Sequence, residues 1–203
     1  MKIGIIGAGK VGANLGKGWV RAGHEIMFSS RDPQSEKMQQ LVVATGDKAS
    51  AGTVSEVMDF ADVIAVAISW PDVETVVMEA GDWRGKILID VTNRFSPTGT
   101  GNSAAEDLAR VASGAHVVKA FNTIGAERYL DPKIGRQTAS MFICGDDDEA
   151  KSVVGDLVED LEFDLVDVGP LSHAEMLESL AKLWVTLMRG GFGRTMAFKL
   201  LRE

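Results

Sequence analysis

Gly7-Ala8-Gly9-Lys10-Val11-Gly12 follows directly on the apolar run Lys2-Ile3-Gly4-Ile5-Ile6. A short apolar strand that runs through spaced glycines into a helical pattern is the unit that lays a pyrophosphate over a helix N-terminus. Gly7 serves the tight turn, Gly9 lets the backbone approach the phosphates, and Gly12 lets the helix pack closely on the strand. The next strand, 24–28, ends in Ser29-Ser30-Arg31-Asp32-Pro33. A dinucleotide with a free ribose 2′-hydroxyl usually meets Asp or Glu at that strand end. Hydroxyls and an arginine suit a 2′-phosphate instead, so the expected cofactor is NADP(H), with Ser30 and Arg31 at that phosphate. Asp32, beside Pro33, reads as the N-cap of the following helix.

Outward from this unit, apolar runs of four to six residues alternate with helical patterns along the chain. Strands are expected at 2–6, 24–28, 63–68, 86–90, 116–120, 140–144 and 162–167, with a short one near 48–51. Helices are expected at about 10–22, 33–45, 53–59, 71–80, 103–112, 146–160 and 172–188. Asp146 or Asp147 is placed to cap the sixth helix, and Ser172 with Glu175 reads as a capping box for the last. Ser96-Pro97-Thr98-Gly99-Thr100-Gly101-Asn102 reads as a loop. The predicted fold is α/β: a doubly wound, mainly parallel Rossmann sheet of about eight strands with a C-terminal helix. Residues 1–203 are expected to form one NADP-binding domain that includes a helical tail, 172–203.

The chain has 203 residues, is 45% hydrophobic and carries a net charge of −8. That balance lacks the electrostatic footprint of a nucleic-acid binder, so bound anions need local donors. The one cysteine, Cys144, sits beside Met141, Phe142 and Ile143 and reads as a buried strand thiol. No apolar run approaches the roughly 20 residues of a membrane span. A strand beginning at residue 2 also leaves no room for a signal peptide. A cytoplasmic protein with no membrane partner is expected.

Ligands of such sheets bind beyond the carboxyl ends of the strands, where the winding reverses. That rule selects the glycine turn, Ile68-Ser69-Trp70-Pro71, Thr92-Asn93-Arg94 and Ala120-Phe121-Asn122-Thr123. Ile68, Ser69, Trp70, Asn93, Ala120, Phe121 and Asn122 are the candidates for the ribose and nicotinamide; Asn93 and Asn122 also suit plain turns.

At these strand ends the chain resembles the NADP-dependent deazaflavin reductases. The resemblance runs through GIIGAGKVG, GHEIMFSSRDP, the Ser69-Trp70 step and DVTN at 90–93. It continues through KAFNTIGAE at 119–127, CGDDDEAK at 144–151, GPLSHAEMLESL at 169–180 and the tail LMRGGFGRTMAFKLL. The reductase domain of six-transmembrane metalloreductases looks similar too. The resemblance implies hydride transfer between NADPH and a deazaflavin coenzyme, and a homodimer. It places pyrophosphate contacts on Ala8, Gly9, Lys10 and Val11, and 2′-phosphate contacts on Ser30 and Arg31. Lys37 stands near a basic position of the family, at a different spacing. Ser69 stands where many relatives carry proline, and so does Arg94.

Hydride transfer between planar rings asks the protein for position and water exclusion more than for acid or base. Accordingly no catalytic residue and no metal cluster is expected. Tyr129-Leu130-Asp131-Pro132-Lys133 has Y-x-x-x-K spacing, but Pro132 would break the helix that chemistry requires. His24 and His116 open strands away from the ligand end, and His173 reads as a solvated first-turn residue. Met176, Leu177, Leu180, Leu183, Trp184 and Leu187 form a stripe at helical spacing. With Met196, Phe198, Leu200 and Leu201 it is expected to cover the acceptor site in a homodimer, or else to cover its own sheet. The short stretch after the last strand favours an open site and a flat second substrate. FMN or FAD, as in a flavin or ferric reductase, is the alternative acceptor. A non-catalytic NADP(H)-binding sensor is the alternative from another class.

Overall fold

All eight apolar runs become strands of one sheet. In a computed structural model, which describes residues 1–70, 72–95 and 102–202, they are β1 (Lys2–Ile6), β2 (Glu25–Ser29), β3 (Ala49–Gly52), β4 (Val63–Val66), β5 (Ile87–Asp90) and β6 (His116–Lys119). A short hairpin follows, β7 (Lys133–Ile134) and β8 (Gln137–Thr138), and then β9 (Ser140–Gly145) and β10 (Asp164–Asp167). The sheet order is β10-β9-β6-β5-β4-β1-β2-β3. The winding reverses between β1 and β4, because the chain moves outward through β2 and β3 before it returns. The crevice at that reversal is where a ligand is expected.

Six strands are parallel, while β9 runs antiparallel to β6, pairing Val118 with Gly145 and Lys119 with Cys144. The cause lies in the connection. Residues 120–139, with the unforeseen hairpin, stay at the carboxyl end of β6 and make no crossover, so β9 must run back down the sheet. The carboxyl end of β9 therefore points away from the ligand crevice.

The helices are α1 (Lys10–Arg21), α2 (Glu36–Thr45), α3 (Val54–Phe60), α4 (Val73–Glu79), α5 (Ala104–Val111), α6 (Asp148–Glu159) and α7 (Ala174–Leu187). Alternation along the strands feeds two cores. Ile3, Ile5 and Ala65 join Leu15, Trp19 and Leu157 on one face, whereas Ile6, Ile64 and Val66 join Val57, Val77, Leu108 and Leu177 on the other.

Several boundaries differ from expectation. Asp32 does not cap α2: its Oδ1 accepts the Gln34 N–H at 3.1 Å in a tight turn, and α2 starts only after Ser35. Asp147 caps α6 through the Ala150 N–H, at 2.8 Å, while Asp146 accepts from Leu171 N–H. Ser172 caps nothing, because Leu171–His173 is a 3₁₀ turn and α7 begins at Ala174 with no side-chain cap. Residues 96–101 of the loop assigned to 96–102, and the helix start at residue 71, lie outside the described residues.

The stripe on α7 is rotated from its expected setting. Ala174, Leu177, Glu178, Ala181 and Trp184 face inward, while Met176 is 64% and Leu183 48% exposed. Glu178 is the reason, since a buried carboxylate with partners on α5 and β6 sets the helix azimuth.

Candidate functional site

The site begins at the glycine turn. Gly7 has φ +115°, and a β-carbon there would lie 2.5 Å from the Ala67 carbonyl oxygen. Only glycine fits both the dihedral and the space. On Gly12 a β-carbon would lie 2.0 Å from the Gly7 carbonyl oxygen, so α1 packs directly onto the turn. Gly9 differs: a β-carbon there would meet nothing within 4 Å. Its bare backbone heads α1 and faces open space, which is the cradle a pyrophosphate needs. Lys10 turns aside from it, pairing at 2.6 Å with Glu127 Oε1, which also accepts from Arg194 Nε at 2.6 Å.

Two cavities flank this turn. One, of about 600 Å³, is lined by Ala8, Gly9, Ser30, Ser35, Lys37 and, from the second turn of α1, Lys17. Ser29 closes it, its hydroxyl accepting the Gly7 N–H at 3.3 Å. Ser30 is half-buried and Arg31 exposed just past the lining. Two hydroxyls and two lysines at the end of β2 fit a 2′-phosphate. Lys17 escaped the sequence reading. No local signal marks it: five residues after Gly12, it lies about 140° round α1 from the glycine that packs on the turn.

The second cavity, of about 500 Å³, is lined by Val11, Ile68, Ser69, Trp70, Thr92, Asn93 and Phe95. It gathers the carboxyl ends of β1, β4 and β5. The fourth expected segment, 120–123, does not line it. Ala120 and Phe121 are buried, and Asn122 is 5% exposed. Asn122 clasps Asn93 reciprocally: Asn93 Nδ2 donates to the Asn122 carbonyl at 3.0 Å, and Asn122 Nδ2 donates to Asn93 Oδ1 at 2.9 Å. The same amide donates to the Leu177 carbonyl of α7 at 3.1 Å. Among the described residues Thr92 Oγ1 and Asn122 Oδ1 are buried without a hydrogen-bond partner. A buried polar group left unmade is costly, and a carboxamide arriving at this wall would offer both a donor and an acceptor.

Beneath this wall lies a charged network. Lys119 Nζ is fully buried and meets Asp90 Oδ2 at 2.7 Å, Glu178 Oε1 at 3.1 Å and the Thr92 carbonyl at 2.9 Å. Burial alone would lower the lysine pKa, but Asp90 and Glu178 outweigh it and hold Lys119 above the ordinary lysine value. Glu178 also accepts the Ala104 N–H at 2.7 Å and the Arg94 N–H at 3.4 Å. Arg94 stacks over Trp70 with its guanidinium carbon 5.8 Å from the ring, and pairs with buried Asp107. The arginine thus stiffens the mouth of the second cavity.

The other singled-out residues stay apart from this region. His24 pairs with Asp160 at 2.7 Å and His116 with Asp147 at 3.1 Å, both at the opposite end of the sheet. His173 is half-buried, not solvated, its Nδ1 2.5 Å from the Val168 carbonyl oxygen. Burial pushes the Cys144 thiol up to about 12, against the lowering effect of Lys119, which leaves it unreactive. Tyr129 closes a 3₁₀ turn while Lys133 opens β7, so the two never share a helix face. No group of three potential metal ligands occurs among the described residues. No helix among them is long and apolar enough to cross a membrane.

Residues 2–94 match the family described as NADP oxidoreductase, coenzyme F420-dependent. Metalloreductase STEAP2 of Mus musculus is 31% identical over 191 residues, which is 93% of this chain and 37% of that protein. The chain therefore spans little more than a third of the curated relatives it matches. A crystal structure of a proposed F420-dependent NADP reductase from Arthrobacter sp. FB24 superposes with a TM-score of 0.88 and 26% identity, covering 100% of both chains. A hypothetical protein from Sinorhizobium meliloti superposes with a TM-score of 0.79 and 27% identity, covering 100% of this chain and 96% of the other.

Proposed function

We infer that this chain, whose residues 2–94 match the family described as NADP oxidoreductase, coenzyme F420-dependent, transfers hydride directly between NADPH and a deazaflavin coenzyme. One observation carries the reading. The open backbone of Gly9 stands between a groove bearing Ser30, Lys17 and Lys37 and a cavity bearing Trp70, Thr92 and Asn93. A dinucleotide laid across that turn has its 2′-phosphate among hydroxyls and cations and its nicotinamide against an amide-lined wall. The nicotinamide supplies the hydride; the protein's part is placement. Gly9 and the head of α1 hold the pyrophosphate, and the Asn93–Asn122 clasp fixes one wall of the ring site. Trp70, Val11 and Phe95 keep its mouth apolar and exclude water. A flat acceptor suits this mouth, since Trp70 offers a stacking face braced by Arg94.

The likeness to a metalloreductase favours a second reading, in which the same nicotinamide site reduces FMN or FAD that in turn serves a metal ion. Anaerobic stopped-flow oxidation of NADPH with a deazaflavin, FMN and FAD side by side separates the two. Oxidation fastest with the deazaflavin supports the first reading. Oxidation only by a flavin supports the second, and none with any acceptor leaves a binding protein without turnover.

We further propose that the protein is a cytoplasmic homodimer. Along α7, Met176 and Leu183 are exposed and Leu180 and Leu187 half-buried, at spacings of four, three and four. Such a stripe is complementary to its own copy about a twofold axis. The partner would then stand beside the second cavity, because Leu177 and Glu178 of the same helix bond Asn122 and Arg94.

A further inference from the structure

Phe121 has φ +58°, in the left-handed region that a bulky side chain rarely adopts. It stands at the carboxyl end of β6, one residue before Asn122. Strain at such a place persists only when its surroundings enforce it, and it is a pointer to function. Here both sides of the residue are held. Its N–H donates to Met141 Sδ at 3.2 Å, and its carbonyl accepts the buried Tyr129 hydroxyl. The ring is boxed edge-on by Trp19 at 5.7 Å and by Tyr129 at 6.0 Å. Neither hydrogen bond belongs to the sheet ladder. Together they turn the chain out of β6 so that Asn122 meets Asn93 and Leu177.

We propose that Tyr129 is a positioning residue for the nicotinamide wall: its hydroxyl holds Phe121 in the left-handed turn, which aims Asn122 at Asn93. The inference rests on the placement of the nicotinamide against Asn93. It gives the Y-x-x-x-K tyrosine a role unrelated to proton transfer, one in which Lys133 has no part. Without the hydroxyl, Phe121 relaxes toward an ordinary strand conformation and the Asn93–Asn122 clasp loosens. The pyrophosphate cradle and the serine-lysine groove belong to other elements and stay as they are.

The test compares two ligands on the intact protein. NADPH, followed by its nicotinamide fluorescence, reports the wall; 2′,5′-ADP, followed by calorimetry, reports only the other half of the site. Tyr129→Phe keeps the ring packing and removes one hydrogen bond, so NADPH binding should weaken about fivefold with 2′,5′-ADP unchanged. Met141→Leu, acting on the other side of Phe121, should do the same, and it serves equally if Tyr129→Phe folds poorly. Asn93→Ala should weaken NADPH by itself, and adding Tyr129→Phe should cause no further loss, because both act along one path. Unchanged NADPH affinity in both Tyr129→Phe and Met141→Leu, equal losses for the two ligands, or additive losses in the double variant would overturn the proposal. Unchanged NADPH affinity in Asn93→Ala would remove the nicotinamide placement itself, and the clamp with it.

Discussion

Lys17 lines the groove from α1, and Arg31 lies exposed at the exit of β2. A charge-assisted contact to a 2′-phosphate contributes roughly 1.5–3 kcal/mol. Arg31→Ala and Lys17→Ala are each expected to weaken NADPH binding about 10- to 100-fold and to leave NADH nearly unchanged. Fluorescence titration with both cofactors checks this; equal losses would mean that the side chain serves the pyrophosphate or the fold. Ser69 is exposed at the lip of the second cavity. Ser69→Trp should abolish NADPH oxidation while binding of 2′,5′-ADP persists, and retained turnover would place the ring elsewhere. The Ser30-Arg31 pair is legible as a candidate in the chain because it follows its strand directly. Lys17 is not, since nothing local says which side of α1 faces the groove.

Between elements, α7 is held by buried charge as well as by the apolar packing of Ala174 and Leu177. Lys119 on β6 joins Asp90 on β5 to Glu178 on α7 with no exposed surface at the lysine. Removing one partner of a buried pair leaves charge uncompensated, so Lys119→Met should destabilise the protein by about 3–5 kcal/mol in denaturant unfolding at neutral pH. A loss below about 1 kcal/mol would show that apolar packing alone seats the helix. The tail is tied back in a different way. Trp184 Nε1 donates to the Met196 carbonyl at 3.0 Å, Ser140 N–H to the Phe198 carbonyl at 3.0 Å, and Arg194 pairs with Glu127. For Glu127, burial raises the carboxyl pKa, but the hydrogen bonds from Arg194 and Lys10 prevail and bring it from 4.5 to about 2. A carboxyl depressed on folding stabilises fully above its unfolded pKa and loses that contribution as pH falls through the folded one. Thermal unfolding of the parent should therefore drop between pH 4.5 and pH 2 more steeply than that of Glu127→Gln. Parallel curves would mean that the pair does not hold the tail.

At the level of the assembly, the tail and the helix stripe part company. Met196 and Phe198 are half-buried on their own chain, while Met176, Leu183, Leu200 and Leu201 remain exposed. Truncating the chain before the tail would strip Ser140 and Trp184 of their partners, so a point change is the cleaner probe. Leu183→Glu, at an exposed position, should leave folding intact and convert a dimer to a monomer in light scattering at micromolar concentration. A parent protein that is already monomeric, or a variant that stays dimeric, would exclude α7 as the interface.

The strands and helix of the first βαβ unit and its glycine turn follow from short-range pattern, and the expectation of a 2′-phosphate at Ser30 and Arg31 has the same source. Gly7, Gly9 and Gly12 are legible because backbone sterics are local, and the strands because burial on both faces demands continuous apolar runs. Other features are decided by contacts between distant residues. Glu178 reads as a surface glutamate on any helical wheel, and only its meeting with Lys119 turns α7 and leaves Met176 and Leu183 outside. Asn122 reads as a ligand residue at a strand end, yet the left-handed Phe121 sends its amide to Asn93 and Leu177. In both cases the energy lies in desolvated polar groups finding partners 29 to 59 positions along the chain, and no local pattern encodes that encounter.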